Sequence, residues 1–219
     1  MPQDPAATDD YDALIRESAS SYVETSATLA RARAHATAES FDRVQWSELA
    51  NLGWLALAVP EARGGAGLGM AELAALLEEL GKGLLPEPLT LCGVLPARTL
   101  IRCEGPAAAP LLAEIISGAL LVSVAWQGKP GVLSTEDTAV RVATNSNGFA
   151  LEGSASFVAA AQFADAFIVA GRTHEGVGLF RVAKDAAHLD IVPSQAADGS
   201  AFGTLRFDGV EVASDALIA

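Results

Sequence analysis

The chain has 219 residues, 51% of them hydrophobic and 19% charged, a composition that folds and is not disordered. Twenty-seven acidic residues against 14 basic ones leave a formal charge of −13, which disfavours nucleic acid and anionic membrane as partners. No apolar run approaches the roughly 18–20 residues that span a bilayer, and the opening MPQDPAATDD lacks the basic and apolar regions of a signal peptide.

Helical spacing governs the first half. Asp9 or Asp10 can cap a helix running to about Ala34, with Tyr11, Leu14, Ile15, Ser18 and Tyr22 as one buried stripe. Ser40 can cap a second helix that turns Val44, Leu49 and Leu52 inward and ends at Gly53. An apolar connector, 54–60, leads to a glycine-rich loop, 61–69, and then to a helix over Met70–Leu80 closed by Gly81. Helices near 89–102 and 107–117 complete the layer, which ends at Gly118.

The period then becomes two. Residues 120–126 are β-rich, 139–144 alternate, and Asn145-Ser146-Asn147-Gly148 is a hairpin turn. Further strands are expected near 149–152, 166–171, 177–183, 188–193, 203–208 and 210–213. A run of helices followed by a run of strands predicts an α+β multidomain chain: an N-terminal all-α helical domain, 1–118, and an antiparallel β-barrel domain, 119–219. The segment 204–219 reads as a strand and exit that hand over to another domain.

Few residues suggest chemistry. The loop 64–69 has five residues of Gly-x-Gly-x-Gly character but neither a dinucleotide fingerprint nor a P-loop lysine, so a tight connector is the favoured reading over a phosphate cradle. Glu61, Glu72, Glu78 and Glu79 read as solvated side chains, with Glu78 and Glu79 at the unfavourable negative end of a helix. Cys92 and Cys103 lack CxxC spacing and clustered histidines, so they read as buried thiols, with no metal site. His35, His174 and His188 are scattered and assemble no triad. These features together point to a cytoplasmic protein. Trp126 stands at the end of the first strand, where loops at a sheet edge often meet a ligand.

The ordered set of motifs resembles the acyl-CoA dehydrogenase family. Trp46-x-x-Leu49-x-x-Leu52-Gly53-Trp54-Leu55, then Val59-Pro60-Glu61-x-x-Gly64-Gly65-x-Gly67, then Glu72, Glu78-Glu79-Leu80-Gly81 and Pro86, look like its N-terminal signature. Gly148-x-x-Leu151-x-Gly153-x-x-x-Phe157-Val158, with Ala164-Asp165, resembles its flavin-side segment, and Phe207-Asp208-x-Val210-x-Val212 its exit strand. The resemblance implies helical, β-barrel and C-terminal four-helix domains, of which the last is absent from this chain. It also implies FAD, an acyl-CoA substrate, an electron-transfer partner and an oligomer. In such enzymes a carboxylate removes the α-proton and the flavin takes a hydride from the β-carbon. The family's base lies in the C-terminal helices, so no catalytic residue is expected within 1–219.

The resemblance places Ala125, Trp126, Gln127, Phe157, Val158 and Ala159 at the flavin. Two departures matter. The family's Thr-Glu-Pro and Gly-Ser-Asp stretch is rewritten here as residues 125–134, and the family's Thr or Ser after the aromatic-aliphatic pair is Ala159. Two readings follow. One is an acyl-CoA dehydrogenase subunit with a divergent FAD site, of the kind used in fatty acid or steroid side-chain degradation. The other is a non-catalytic partner of a homologous subunit that alone binds FAD, in a heteromer. A third reading is a flavin monooxygenase of the same fold. In each case the 219 residues alone are expected to be inactive.

Overall fold

A computed structural model describes residues 5–26, 29–37, 41–128 and 138–219. The helical layer contains α1 (Pro5–Ser26), α2 (Leu29–Ala36), α3 (Arg43–Asn51), α4 (Met70–Lys82), α5 (Leu95–Leu100) and α6 (Ala108–Ile116). A π-helical segment, Leu89–Val94, runs directly into α5. The strands are β1 (Val122–Ala125), β2 (Arg141–Asn145), β3 (Gly148–Ala159), β4 (Ala166–Arg172), β5 (Val177–Ala183), β6 (Leu189–Gln195) and β7 (Ala201–Ala213).

Several expectations change. The long first helix is met by α1 and α2 on either side of residues 27–28, and it starts at Pro5. The buried stripe of α1 is Ile15, Ala19, Tyr22 and Val23, while Tyr11, Leu14 and Ser18 face outward. Ser40 lies outside the described residues. The cap of α3 is Asp42, whose carboxylate accepts from the N–H groups of Val44 and Gln45, both at 3.1 Å. With that phase, α3 buries Trp46 and Leu49 and exposes Val44 and Leu52. Helix α4 runs past Gly81 to Lys82.

The sheet is mixed rather than antiparallel. β1 and β2 both pair parallel with β4, and the remaining pairs are antiparallel. A bridge between Gln127 and Ser156 brings the end of β1 against β3, so the sheet curls into a half-barrel around its own core of Val140, Leu151, Phe167, Phe180 and Leu205. The two strands expected at 203–208 and 210–213 are one strand, β7, carrying Gly209 as an extra residue at φ +72°.

Residues from both sides of Gly118 share two further cores. One joins Trp46, Trp54, Leu73 and Leu76 to Leu121, Ala159 and Ala160. The other joins Leu100, Leu111 and Ile115 to Val122, Ala166 and Ile168. Gly118, at φ +72°, makes this contact possible, because a Cβ there would stand 2.7 Å from that of Ala50.

The glycine loop is a connector. The N–H groups of Gly65, Ala66, Gly67 and Leu68 are all spent on the carbonyls of Pro60, Ala56, Val59 and Leu57, leaving none to cradle an anion. A Cβ on Gly65 would lie 2.1 Å from the Val59 carbonyl oxygen.

Candidate functional site

Strand alternation splits the six expected ligand-facing residues. Ala125 and Val158 are fully buried and belong to the half-barrel's interior. Trp126, Gln127, Phe157 and Ala159 line a trough of about 450 Å³, together with Leu91, Leu95, Val124 and Phe202. The rewritten residues 129–134 lie outside the described residues.

The trough exists because β3 is distorted where it meets β1. The register between β3 and β7 shifts between Ala155 and Val158. Phe157 takes φ +54°, a strained value for an aromatic residue, and is 54% exposed. The N–H of Ser156 donates to the Gln127 carbonyl at 2.7 Å and holds the two segments together. Leu91 and Leu95, four residues apart on the helical side, form the opposite apolar wall.

Behind Ala159 lies a small buried polar group. The Ser123 hydroxyl donates to the Ala159 carbonyl at 2.5 Å, and the Cys92 sulfur sits 3.3 Å from that hydroxyl. Burial pushes the Cys92 thiol up to about 12, so it stays protonated and inert. Cys103 is likewise free, buried and shifted upward by burial. Among the described residues, no group of three or more His, Cys, Asp or Glu side chains is placed to hold a metal ion.

A second cavity of about 280 Å³ adjoins the trough and shares Leu91, Ala159 and Phe202 with it. Phe41, Leu80 and Phe163 give it an apolar body, and His35 and the buried Glu87 also line it. Burial lowers the pKa of His35 and raises that of Glu87, whose carboxylate pairs with Arg31.

Among the described residues no titratable side chain lines the trough, so these walls can orient a ligand but do not exchange a proton with it. The apolar walls fit the face of a flat aromatic ring such as a flavin. At a flavin's polar edge they supply the Trp126 indole and the Gln127 amide, but Ala159 offers only a methyl group. Leu91, Leu95 and Phe202 were not singled out from the sequence. The first two carried a signal in their spacing, whereas Phe202 arrives only through β7 pairing.

The carboxylates also differ from expectation. Glu78 is exposed, but Glu79 is buried, accepting from Arg16 at 2.9 Å and Lys82 at 2.7 Å. Glu72 is buried as well, and accepts from the Gly69 N–H at 2.8 Å, satisfying the start of α4.

Comparisons with known proteins agree with this architecture. Residues 9–99 match the family described as acyl-CoA dehydrogenase, N-terminal domain. Acyl-CoA dehydrogenase FadE27 of Mycobacterium tuberculosis is 30% identical over 175 residues, covering 80% of this chain and 46% of the relative. The ChsE4-ChsE5 complex of M. tuberculosis superposes with a TM-score of 0.81 at 28% identity, covering all of this chain and 58% of the matched one. A variant of the Tcur3481-Tcur3483 steroid ACAD gives 0.82 at 30% identity, covering 93% and 56%. The chain thus spans about half the length of the relatives it matches. No helix among the described residues is long and apolar enough to cross a membrane.

Proposed function

Because the chain belongs to the acyl-CoA dehydrogenase family, we propose that it serves as one subunit of a FAD-dependent acyl-CoA dehydrogenase assembled with a homologous subunit. The observation that carries this reading is the trough at the end of β1. Its walls suit a flat ring, yet Ala159 withholds a hydrogen bond and, among the described residues, no wall residue titrates. Groups from outside these residues would complete the site, and a homologous subunit that supplies some of them fits this reading. Two of the matched structures are complexes of paired names, ChsE4-ChsE5 and Tcur3481-Tcur3483, which supports a heteromeric arrangement.

Trp126, Gln127, Phe157 and Ala159 would hold the ring, and Ser123 would fix Ala159 from behind. Hydride acceptance is the chemistry that FAD supplies when bound. The adjoining cavity against Phe41 and Phe163 would receive the acyl group, and the steroid description of one matched structure favours a bulky acyl group over a linear one. A cytoplasmic location and an electron-transfer partner belong to the same reading.

A second reading is favoured by the same methyl group: the chain shapes its partner's site and binds no FAD itself. Coexpression with a homologous subunit, followed by native mass and flavin absorbance, separates the possibilities. We expect a mixed oligomer that reduces dye in the presence of an acyl-CoA. Fewer flavins than chains would support the second reading, and a homo-oligomer with one FAD per chain would exclude it. A colourless mixed complex that reduces no dye with any acyl-CoA overturns the oxidoreductase assignment.

A further inference from the structure

One wall group of the cavity beside the trough is only half bonded. Glu87 lines that cavity and is 5% exposed. Its Oε1 accepts from the Arg31 guanidinium. Its Oε2 is buried and, among the described residues, meets no hydrogen-bond donor. A buried carboxylate oxygen without a partner is costly, so such an atom marks a place where a further group is bonded.

The rest of the wall is mostly apolar. Phe41 and Phe163 stand with ring centroids 6.1 Å apart, and the His35 ring meets Phe41 edge-on at 6.5 Å. Burial, helped by Arg31, holds His35 below its ordinary pKa, so it adds no charge at neutral pH. Leu91, Ala159 and Phe202 belong to the cavity and the trough alike, whereas Glu87 and His35 belong to the cavity alone. The polar pair therefore stands beyond the shared wall. Charge narrows what Oε2 can meet. Arg31 already balances Glu87, so a ligand cation would face the guanidinium as well as the carboxylate. A ligand carboxylate or keto oxygen would set an acceptor against an acceptor. A neutral hydroxyl donates to Oε2 and adds no charge.

We propose that Glu87 sets the specificity of this cavity, its Oε2 accepting a hydrogen bond from a hydroxyl on the apolar end of the acyl group. The substrate class is then an acyl-CoA whose acyl part is neutral and hydroxylated, rather than a plain hydrocarbon or a dicarboxylic acid. A site built to bond a hydroxyl discriminates strongly against the analogue that lacks it, because its own buried polar atom is then left unpaired. The proposal rests on the reading that this cavity receives the acyl group. Glu87 binds and orients here, and no proton changes hands.

The test is calorimetric titration of the full chain, alone and coexpressed with a homologous subunit, at about pH 8, where carboxyl groups are ordinarily ionised. The probes are CoA thioesters of cyclohexylalkanoic acids of increasing linker length. Each carries a hydroxyl, a keto oxygen or no substituent on the far side of the ring. All share the CoA end, so differences among them report the ring alone. At the linker length that fits best, the hydroxyl probe is expected to bind about tenfold or more tighter than the other two. In Glu87→Gln, Arg31 holds the amide oxygen, and the amide nitrogen takes the place of Oε2, a donor where an acceptor stood. The preference for hydroxyl over keto should then fall to about twofold or reverse, with the unsubstituted probe binding as before. If that variant fails to fold, Glu87→Asp, which keeps the charge but withdraws it by one methylene, should lose most of the same preference. Binding of the unsubstituted probe with no gain from the hydroxyl overturns the proposal and leaves the acyl reading standing. A hydroxyl preference unchanged in the folded variant, or an equal loss for all three probes, does the same. Binding of no thioester overturns both.

Discussion

Arg43 and Asp165 stand 122 residues apart and form a two-pronged ion pair at 2.5 and 2.8 Å, joining α3 to the turn that opens β4. Arg43 also donates to the Phe163 carbonyl at 2.8 Å. Asp165 accepts from the Leu121 N–H at 2.7 Å, so one carboxylate ties the helical layer to the start of the sheet.

Replacing Asp165 with Ala strands the Leu121 N–H as well as the guanidinium. The expected loss is about 2 kcal/mol in urea unfolding. Arg43→Lys keeps the charge but loses the fork, and should cost about half as much. Equal stability of D165A and the parent chain would show that this joint is not coupled to folding.

Gly65 should not tolerate a side chain. A Cβ would meet the Val59 carbonyl oxygen at 2.1 Å, a clash with backbone that no rotamer relieves. Gly65→Ala is expected to lose about 3 kcal/mol, seen as a lower denaturant midpoint with an unchanged slope. A neutral outcome would mean that the loop is loosely held and its internal hydrogen bonds matter little.

Two carboxylates respond oppositely to pH. Hydrogen bonds from Lys82 and Arg16 hold Glu79 below its ordinary 4.5, so its contribution is present above that value and is lost as pH falls through the folded-state value. Burial raises Glu87 above its ordinary 4.5, against the opposing pull of Arg31. The folded state then binds the extra proton, and this group lowers stability as pH rises from 4.5 toward its raised value. Urea midpoints across pH 3–7, roughly the span over which these carboxyl groups titrate, check both. Glu79→Gln should remove part of the acid-side loss, and Glu87→Gln part of the decline above it. Parent and variants with superimposable pH profiles would contradict both assignments.

Ala159→Thr restores a hydroxyl at the edge of the trough. In the assembled protein it should improve FAD retention by about fivefold to tenfold, the worth of one hydrogen bond to a partly buried ring. Fluorescence quenching of added FAD gives the comparison. Unchanged or weaker retention would detach Ala159 from the flavin.

Part of the trough was legible before folding. The β-strand at 120–126, the Trp126-Gln127 pair at its end and the Phe157-Val158-Ala159 segment carry their own local patterns, and four of those six residues meet in one trough. Ala125 and Val158 could not be assigned a face, because a residue beside a bulge changes sides with the register. Phe202 and the Cys92-Ser123 pair depend on contacts that no local pattern reports.

Composition, the change from helical to alternating period and the hairpin at Asn145–Gly148 were enough to determine the helical layer followed by strands, because they record local burial and turn chemistry. The tertiary structure alone decided which face of α1 and α3 is inside, that the sheet is mixed, and that Glu79 is buried beside Arg16. It also decided that Arg141 and Arg172 stand opposite one another across β2 and β4. Each of these depends on partners distant in sequence, whose contacts outweigh local preference by burying more apolar surface or satisfying more hydrogen bonds than any neighbouring residue could.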